Sequence, residues 1–313
     1  MLSTLGILLP VFALILAGFV CRRRGVLGPT AASELNRFVV WLALPALLFN
    51  TMAHATWKQL DQPAFIAVFS IAGGVTFLLI LAYRMIGGLH LADASIDAIA
   101  GAYPNTGYVG FPLCLMAFGP ESLTPTTIAT ILIACVLFAI AIVLIELSLQ
   151  AERRPHKLAS KVLVSLGKNP LIVSPLAGVL FSAAHVALPD SVVAFLKLLS
   201  GAASPCALVS LGLFLAERRA AVATQRSALL LTGTKLLLQP ALAWWLAARV
   251  FSMPTPMVNM TLVLAALPTG TGPFMLAEFY RREAQVTSRT ILFTTLASLV
   301  TLSIILVYVR SGA

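Results

Sequence analysis

The stretch GAYPNTGYVGFP, residues 101–112, decides how this chain is read. It sits inside an apolar run near residues 95–118, yet it carries Gly101, Pro104, Asn105, Thr106, Gly107, Gly110 and Pro112. Proline removes a main-chain donor and clashes with the carbonyl four residues back, and glycine loosens the backbone, so a helix here is expected to unwind near its centre. A second run, near residues 257–280, carries ALPTGTGPF at residues 266–274, with Pro268, Thr269, Gly270, Thr271, Gly272 and Pro273. One such interruption is as easily a kinked helix. Two at corresponding places point to a site, because unwound backbone in hydrocarbon is costly unless it is buried in protein or lines a wet cavity.

The surrounding sequence supplies the hydrocarbon. Of 313 residues, 59% are hydrophobic and 10% charged, with a mean hydropathy of +0.98, more apolar surface than a soluble domain can hide. Apolar runs fall near residues 4–21, 36–53, 63–86, 95–118, 125–148, 169–188, 191–215, 227–250, 257–280 and 287–309. A bilayer core takes about 20 residues of helix, so these are expected to be ten crossings. With Arg22, Arg23 and Arg24 in the cytoplasm, alternation places the other Lys and Arg there too. The exceptions are Lys58, Arg249 and Arg310 outside, and Lys197 and Lys235 within spans. The positive-inside rule therefore predicts a multi-pass membrane protein with both termini outside.

The net charge of +10 follows from that bias and is no nucleic-acid footprint, since no basic stripe is interleaved with aromatics. The arginines after the first run, where a leader would carry them before it, describe a retained helix. Cys21, Cys114, Cys135 and Cys206 are scattered singly and read as packing residues.

Prolines recur at Pro10 and Pro175, Pro45 and Pro205, and Pro104 and Pro268, with offsets of 165, 160 and 164 residues. The local text is also alike: PALLF at Pro45 beside PCALV at Pro205. The reading is a duplication: residues 1–150 are a first five-helix repeat, 151–168 a short basic cytoplasmic linker and 169–313 a second repeat. Five is odd, so the second repeat inserts upside down. The expected fold is an all-α integral membrane protein of ten transmembrane helices in two inverted five-helix repeats, with helices 4 and 9 broken.

Each break begins a second half-helix whose N–H groups are exposed, with Asn105 or Thr106 and Thr269 or Thr271 as natural caps. Two such ends supply partial positive charge, so the expected partner is a small organic anion, most simply a carboxylate. The expected site takes Pro104, Asn105, Thr106, Gly107 and Tyr108 with Pro268, Thr269, Gly270 and Thr271. Tyr108 either closes the site or packs. Asn50 and Ser204, beside Pro45 and Pro205, either line a cavity or act as packing glue. Lys235 lies nine residues past Arg226, about 14 Å along a helix, and is either a counter-ion to the substrate or a snorkelling side chain. Lys197 is read as snorkelling.

Asp93 and Asp97, one turn apart, are read as a solvated helix start, and Glu278 as the cytoplasmic end of its span. His54, His90, His156 and His185 fall near span ends, so no buried imidazole relay is visible. No acid stands at either break, and no metal or cofactor is expected. The chain lacks HExxH, GxSxG and paired aspartates within a span, so it is read as no enzyme. An intramembrane enzyme is the alternative from another class. A sodium-coupled symporter using backbone carbonyls is the alternative among carriers.

Four stretches, LLPVFALILAGFVCRRRGVL (8–27), NRFVVWLALPALLFNTMA (36–53), GAYPNTGYVGFPL (101–113) and ALPTGTGPFMLAEFY (266–280), together resemble the auxin efflux carrier family of bacterial permeases. The likeness runs over essentially all ten spans, with plant PIN carriers as distant relatives whose long central loop is missing here. It implies a crossover fold, with a scaffold from the first two spans of each repeat and a transport unit from the other three. It further implies carboxylates such as malate or malonate as substrates, elevator-like movement in a homodimer, and Pro104, Asn105 and Pro268 at the site. Thr269 stands where a second asparagine would follow the ninth-span proline, so auxin itself is not expected. A bile-acid-type sodium symporter shares the crossover architecture.

Overall fold

The computed structural model describes residues 2–54, 56, 61–149, 164, 167–168, 170–184, 188–216 and 225–310. Most of the expected linker at 151–168 lies outside them, with Arg153, Arg154, Lys157, Lys161 and His156, and so do Lys58, His185, Arg218 and Arg219. Among the described residues the chain is helical, with one isolated antiparallel bridge and no strand. In chain order the helices are α1 (Leu2–Arg23), α2 (Ala31–Ala53), α3 (Pro63–Ile86), α4 (Leu91–Ala102), α5 (Thr106–Phe118) and α6 (Pro120–Leu149). They continue as α7 (Pro170–Ala183), α8 (Asp190–Leu215), α9 (225–250), α10 (Thr255–Ala265), α11 (Gly272–Phe279) and α12 (Gln285–Arg310). Five of them, α2, α3, α6, α8 and α12, are long and apolar enough to cross a membrane, and α5 and α10 are shorter apolar pieces. The chain is a multi-pass membrane protein.

Prolines shape these helices in two ways. Pro10, Pro175 and Pro205 lie inside helices that run on without a break. Pro45, Pro112 and Pro240 each stand two residues after a wide π turn, at Val39–Ala43, Thr106–Gly110 and Thr234–Leu238. The carbonyl four residues before each of these prolines falls within its wide turn, where the extra residue relieves the clash that would otherwise kink the helix. Lys235 sits in the third of these turns.

The chain divides into two compact units, each drawing on both halves of the sequence. The first comprises residues 1–62, 107–128 and 167–218, which hold α1, α2, α5, the start of α6, α7 and α8. Its helices meet at backbone distance. A Cβ added at Gly18 of α1 would lie 2.2 Å from the Val209 carbonyl oxygen of α8, and one at Gly178 of α7 would lie 2.6 Å from the Phe49 carbonyl oxygen of α2. Adding 160 to residues 18 and 49 gives 178 and 209, so the two close approaches exchange. Val39, Leu44, Leu48, Tyr108, Phe111 and Ala207 form a buried cluster between α2, α5 and α8.

The second unit comprises residues 63–106, 129–166 and 219–313, which hold α3, α4, the rest of α6 and α9 to α12. It is apolar at large contacts such as Phe65, Phe69 and Phe77, but it buries more polar chemistry. Thr287, Thr290, Thr294, Thr295 and Ser298 form a buried hydroxyl row on α12. Their hydroxyls mostly bond carbonyls three or four residues back, as Thr290 does to Val286 at 2.8 Å, which hides them from the hydrocarbon.

Candidate functional site

The first break is short. α4 stops at Ala102, Tyr103 leaves the helix at φ −103° and ψ 87°, and α5 opens at Thr106 after Pro104 and Asn105. The second break runs from Ala266 to Thr271, between α10 and α11. Within the second unit the breaks are laced together: Pro104 and Thr269 form the antiparallel bridge. Asn105 N–H donates to the Pro268 carbonyl at 2.8 Å and Gly270 N–H to the Tyr103 carbonyl at 3.0 Å. A Cβ at Gly270 or at Gly272 would lie 2.9 Å from the Tyr103 ring, so both glycines let that ring lie on the backbone of the second break. The ring meets Phe138 edge-on at a centroid distance of 6.1 Å.

Breaking a helix orphans the carbonyls behind the break, and here side chains take them. The Ala100 carbonyl would bond the N–H of residue 104, but that residue is proline, and the Thr269 hydroxyl donates to it instead at 2.9 Å. The Ala102 carbonyl loses Thr106 N–H, which turns back to Pro104 O at 2.8 Å, and the Gln239 side-chain amide takes its place at 3.2 Å. The Ala265 carbonyl loses Thr269 N–H, which bonds the Thr294 hydroxyl at 3.0 Å, and the Lys235 ammonium donates to it at 2.7 Å.

These bonds correct the expectation that the breaks leave their main-chain donors open. Asn105, Thr106, Thr269 and Gly270 N–H groups all have protein acceptors, and Thr269 uses its hydroxyl to close α4, not to cap α11. At the second break the N–H and hydroxyl of Thr271 have no acceptor among the described residues. Lys235 is fully buried within the protein, so the snorkelling reading fails. Lys197, on α8, is exposed.

The reading of Asp93 and Asp97 as a solvated helix start is also corrected. Asp97 is 4% exposed and holds Arg84, with Nε at 2.7 Å and Nη2 at 2.6 Å from one carboxylate oxygen, while Arg84 Nη1 reaches the Ser227 hydroxyl at 2.9 Å. Asp93, partly buried, binds Arg282 through both carboxylate oxygens, and these bonds push the guanidinium pKa above its ordinary value. Each acid is thus clamped by an arginine. Among the described residues no group of three or more His, Cys, Asp or Glu could hold a metal ion.

The remaining expected residues lie in the first unit. The Tyr108 hydroxyl donates to Asn36 Oδ1, and its ring is part of the buried cluster, which makes it a packing residue there. Gly107 faces Leu44, 3.4 Å from where a Cβ would stand. Asn50, on α2, has a buried Oδ1 without a hydrogen-bond partner among the described residues, and Ser204 is half-buried on α8. Tyr103, Gln239 and Thr294 were not expected at the site. Gln239 is a polar residue one helical turn past Lys235, and Thr290 and Thr294 repeat Thr126 and Thr130 at an offset of 164, a signal present in the sequence.

A multi-pass helical protein whose two interrupted helices are joined at their breaks, with the buried Lys235 behind one of them, has the architecture of a membrane transporter. This chain belongs to the membrane transport protein family, whose model matches residues 4–306, the auxin efflux carrier family of the resemblance above. It is 32% identical over 314 residues to a protein of Rhizobium meliloti (strain 1021) named "Putative malonate transporter", covering 98% of this chain and 96% of that one. It is 23% identical to the "Uncharacterized transporter YfdV" of Escherichia coli (strain K12), covering 95% of each chain. It is also 22% identical to "Auxin efflux carrier component 8" of Arabidopsis thaliana, covering 93% of each.

Proposed function

We propose that this chain is a secondary transporter that carries a small organic anion, a carboxylate of the malonate class, across a bacterial inner membrane by alternating access. The observation that carries the proposal is the lacing of the two breaks through Pro104 and Thr269, from which the half-helices α5 and α11 start. Helix starts favour a carboxylate, and Thr271 brings an N–H and a hydroxyl that have no acceptor among the described residues. The name of the Rhizobium meliloti relative supports malonate as the first substrate to try. Neither break carries an acid that would repel it.

The carrier is built as two inverted five-helix repeats, residues 1–150 and 169–313, joined by the basic segment 151–168. It has ten spans, both termini outside, and works as a homodimer. Two independent regularities support the repeats. The Gly18–Val209 and Gly178–Phe49 approaches exchange under an offset of 160, and the antiparallel bridge falls between residues 165 apart, close to the offset of the flanking prolines. The bridge alone would carry little, since any antiparallel pair is locally two-fold; its agreement with the sequence offset is what counts. Pro104, Asn105, Thr106, Gly107, Tyr108, Pro268, Thr269, Gly270 and Thr271, with Asn50, Ser204 and Lys235, are the residues assigned to binding or to supporting it.

Uptake into proteoliposomes tests this reading. Malonate and other dicarboxylates are expected to saturate uptake and to compete, while their neutral amides are not carried. Asn105→Ala is expected to lower uptake at least tenfold while the protein still inserts and folds. Equal uptake of charged and neutral analogues, or unchanged kinetics in Asn105→Ala, would remove the proposal.

A further inference from the structure

In carriers built on discontinuous helices, unwound carbonyls and the C-terminal ends of half-helices are where a coupling cation is held. Here five main-chain oxygens around the breaks already have donors from the chain. Thr269 Oγ1 takes Ala100, Gln239 Nε2 takes Ala102, Gly270 N takes Tyr103, Lys235 Nζ takes Ala265 and Asn105 N takes Pro268. Only one of the five donors, the Lys235 side chain, can carry a charge. Lys235 is fully buried, and no carboxylate lies within ion-pairing distance of it among the described residues. What faces its ammonium is the end of α10, where the last carbonyls add up to a partial negative charge.

The position is built, not incidental. Lys235 comes from the wide turn Thr234–Leu238, which Pro240 accounts for, and wide turns of this kind often mark functional positions. Gln239, one helical turn further along α9, does the corresponding work for α4, so one face of α9 closes the C-terminal ends of both half-helices. A long ammonium buried in this way requires a reason, since an intramembrane cation is expensive and marks a functional position by default.

We propose that the Lys235 ammonium is a tethered cation that permanently occupies the place where a sodium-coupled carrier would hold its ion at the end of α10, which makes transport by this chain independent of sodium. The inference deepens the carrier reading and rests on it for its transport consequence. Its structural content stands without any substrate.

The test is thermal unfolding of the purified full chain in detergent, in sodium, potassium or choline chloride at matched ionic strength. Wild type is expected to unfold at one midpoint in all three salts. Lys235→Ala is expected to unfold several degrees lower in choline chloride. It should regain most of the loss in n-propylammonium chloride, which restores the three carbons and the ammonium that the substitution removes. A sodium-specific rise in wild type overturns the proposal. So does a Lys235→Ala variant that unfolds like wild type, or one that is lowered and that n-propylammonium does not move, because the lysine is then only a strut.

Should Lys235→Ala fail to fold, the wild-type comparison still decides, together with initial rates of malonate uptake by wild type with external sodium replaced by choline. Equal rates are expected, and a tenfold fall overturns the proposal. Absence of uptake for every carboxylate, with the unfolding pattern as expected, defeats the anion reading alone.

Discussion

α4 and α10 end the same way, at a proline-bearing break, yet they are stabilised at opposite ends. α4 has Asp93 in its first turn and Asp97 one turn on, each bound to an arginine, and its C-terminal carbonyls go to the neutral donors Thr269 and Gln239. α10, Thr-Pro-Met-Val-Asn-Met-Thr-Leu-Val-Leu-Ala, has no charge of its own and no side-chain cap at its start, and receives an ammonium at its end. Both arrangements suit the helix dipole, anions at the positive end or a cation at the negative end. Two helices can therefore end at similar breaks while distributing charge differently. Among the described residues, the one basic side chain bonded to a break carbonyl, Lys235, is on the α10 side.

The largest way to break this comparison is Asp97→Ala, which strands Arg84 in a mostly buried position. Removing one partner of a buried ion pair destabilises by about 3–5 kcal/mol, so a marked fall in the unfolding midpoint in detergent is expected. The double replacement Arg84→Met with Asp97→Met should recover most of that loss. If Asp97→Ala unfolds like wild type, the acids do not hold α4 and the contrast with α10 disappears.

Thr269→Val keeps the shape and removes the hydroxyl that closes the Ala100 carbonyl. A buried acceptor left open costs about 1–3 kcal/mol, and thermal unfolding measures it. Faster amide hydrogen exchange at the end of α4 than at the end of α10 would show that the loss is local. A comparable overpacking penalty, about 1–3 kcal/mol, is expected for both Gly18→Ala and Gly178→Ala, since each Cβ would meet a carbonyl across a helix contact. Similar losses would support the proposed equivalence of the two halves, and a large loss at one position only would count against it. Least of all, Glu34→Gln should leave the midpoint where it is, because the Glu34–Arg37 pair is exposed and loose at 3.9 Å.

Much of this could be read from residue order. The breaks fall at Tyr103–Asn105 and Ala266–Thr271, where proline and glycine interrupt apolar runs, because their effect on a helix is local and needs no neighbours. The bonding at those breaks was misread. The expectation of open N–H groups treated each break alone, whereas each is the other's partner across 165 residues. Asp93 and Asp97 were misread for the same reason: their partners Arg282 and Arg84 lie 189 and 13 residues away, and nothing in the local text marks either pairing. Tyr108 had two readings, and packing against Val39, Leu44 and Ala207 selects one.

By itself the sequence determined that the chain spans a membrane many times and that two of its helices are interrupted, since hydropathy and backbone sterics act within a few residues. Only the tertiary structure decided which donor closes which orphaned carbonyl, and that Lys235 is buried against the end of α10. Hydrogen bonds and burial depend on what folding brings together, and spacing along the chain does not contain that information.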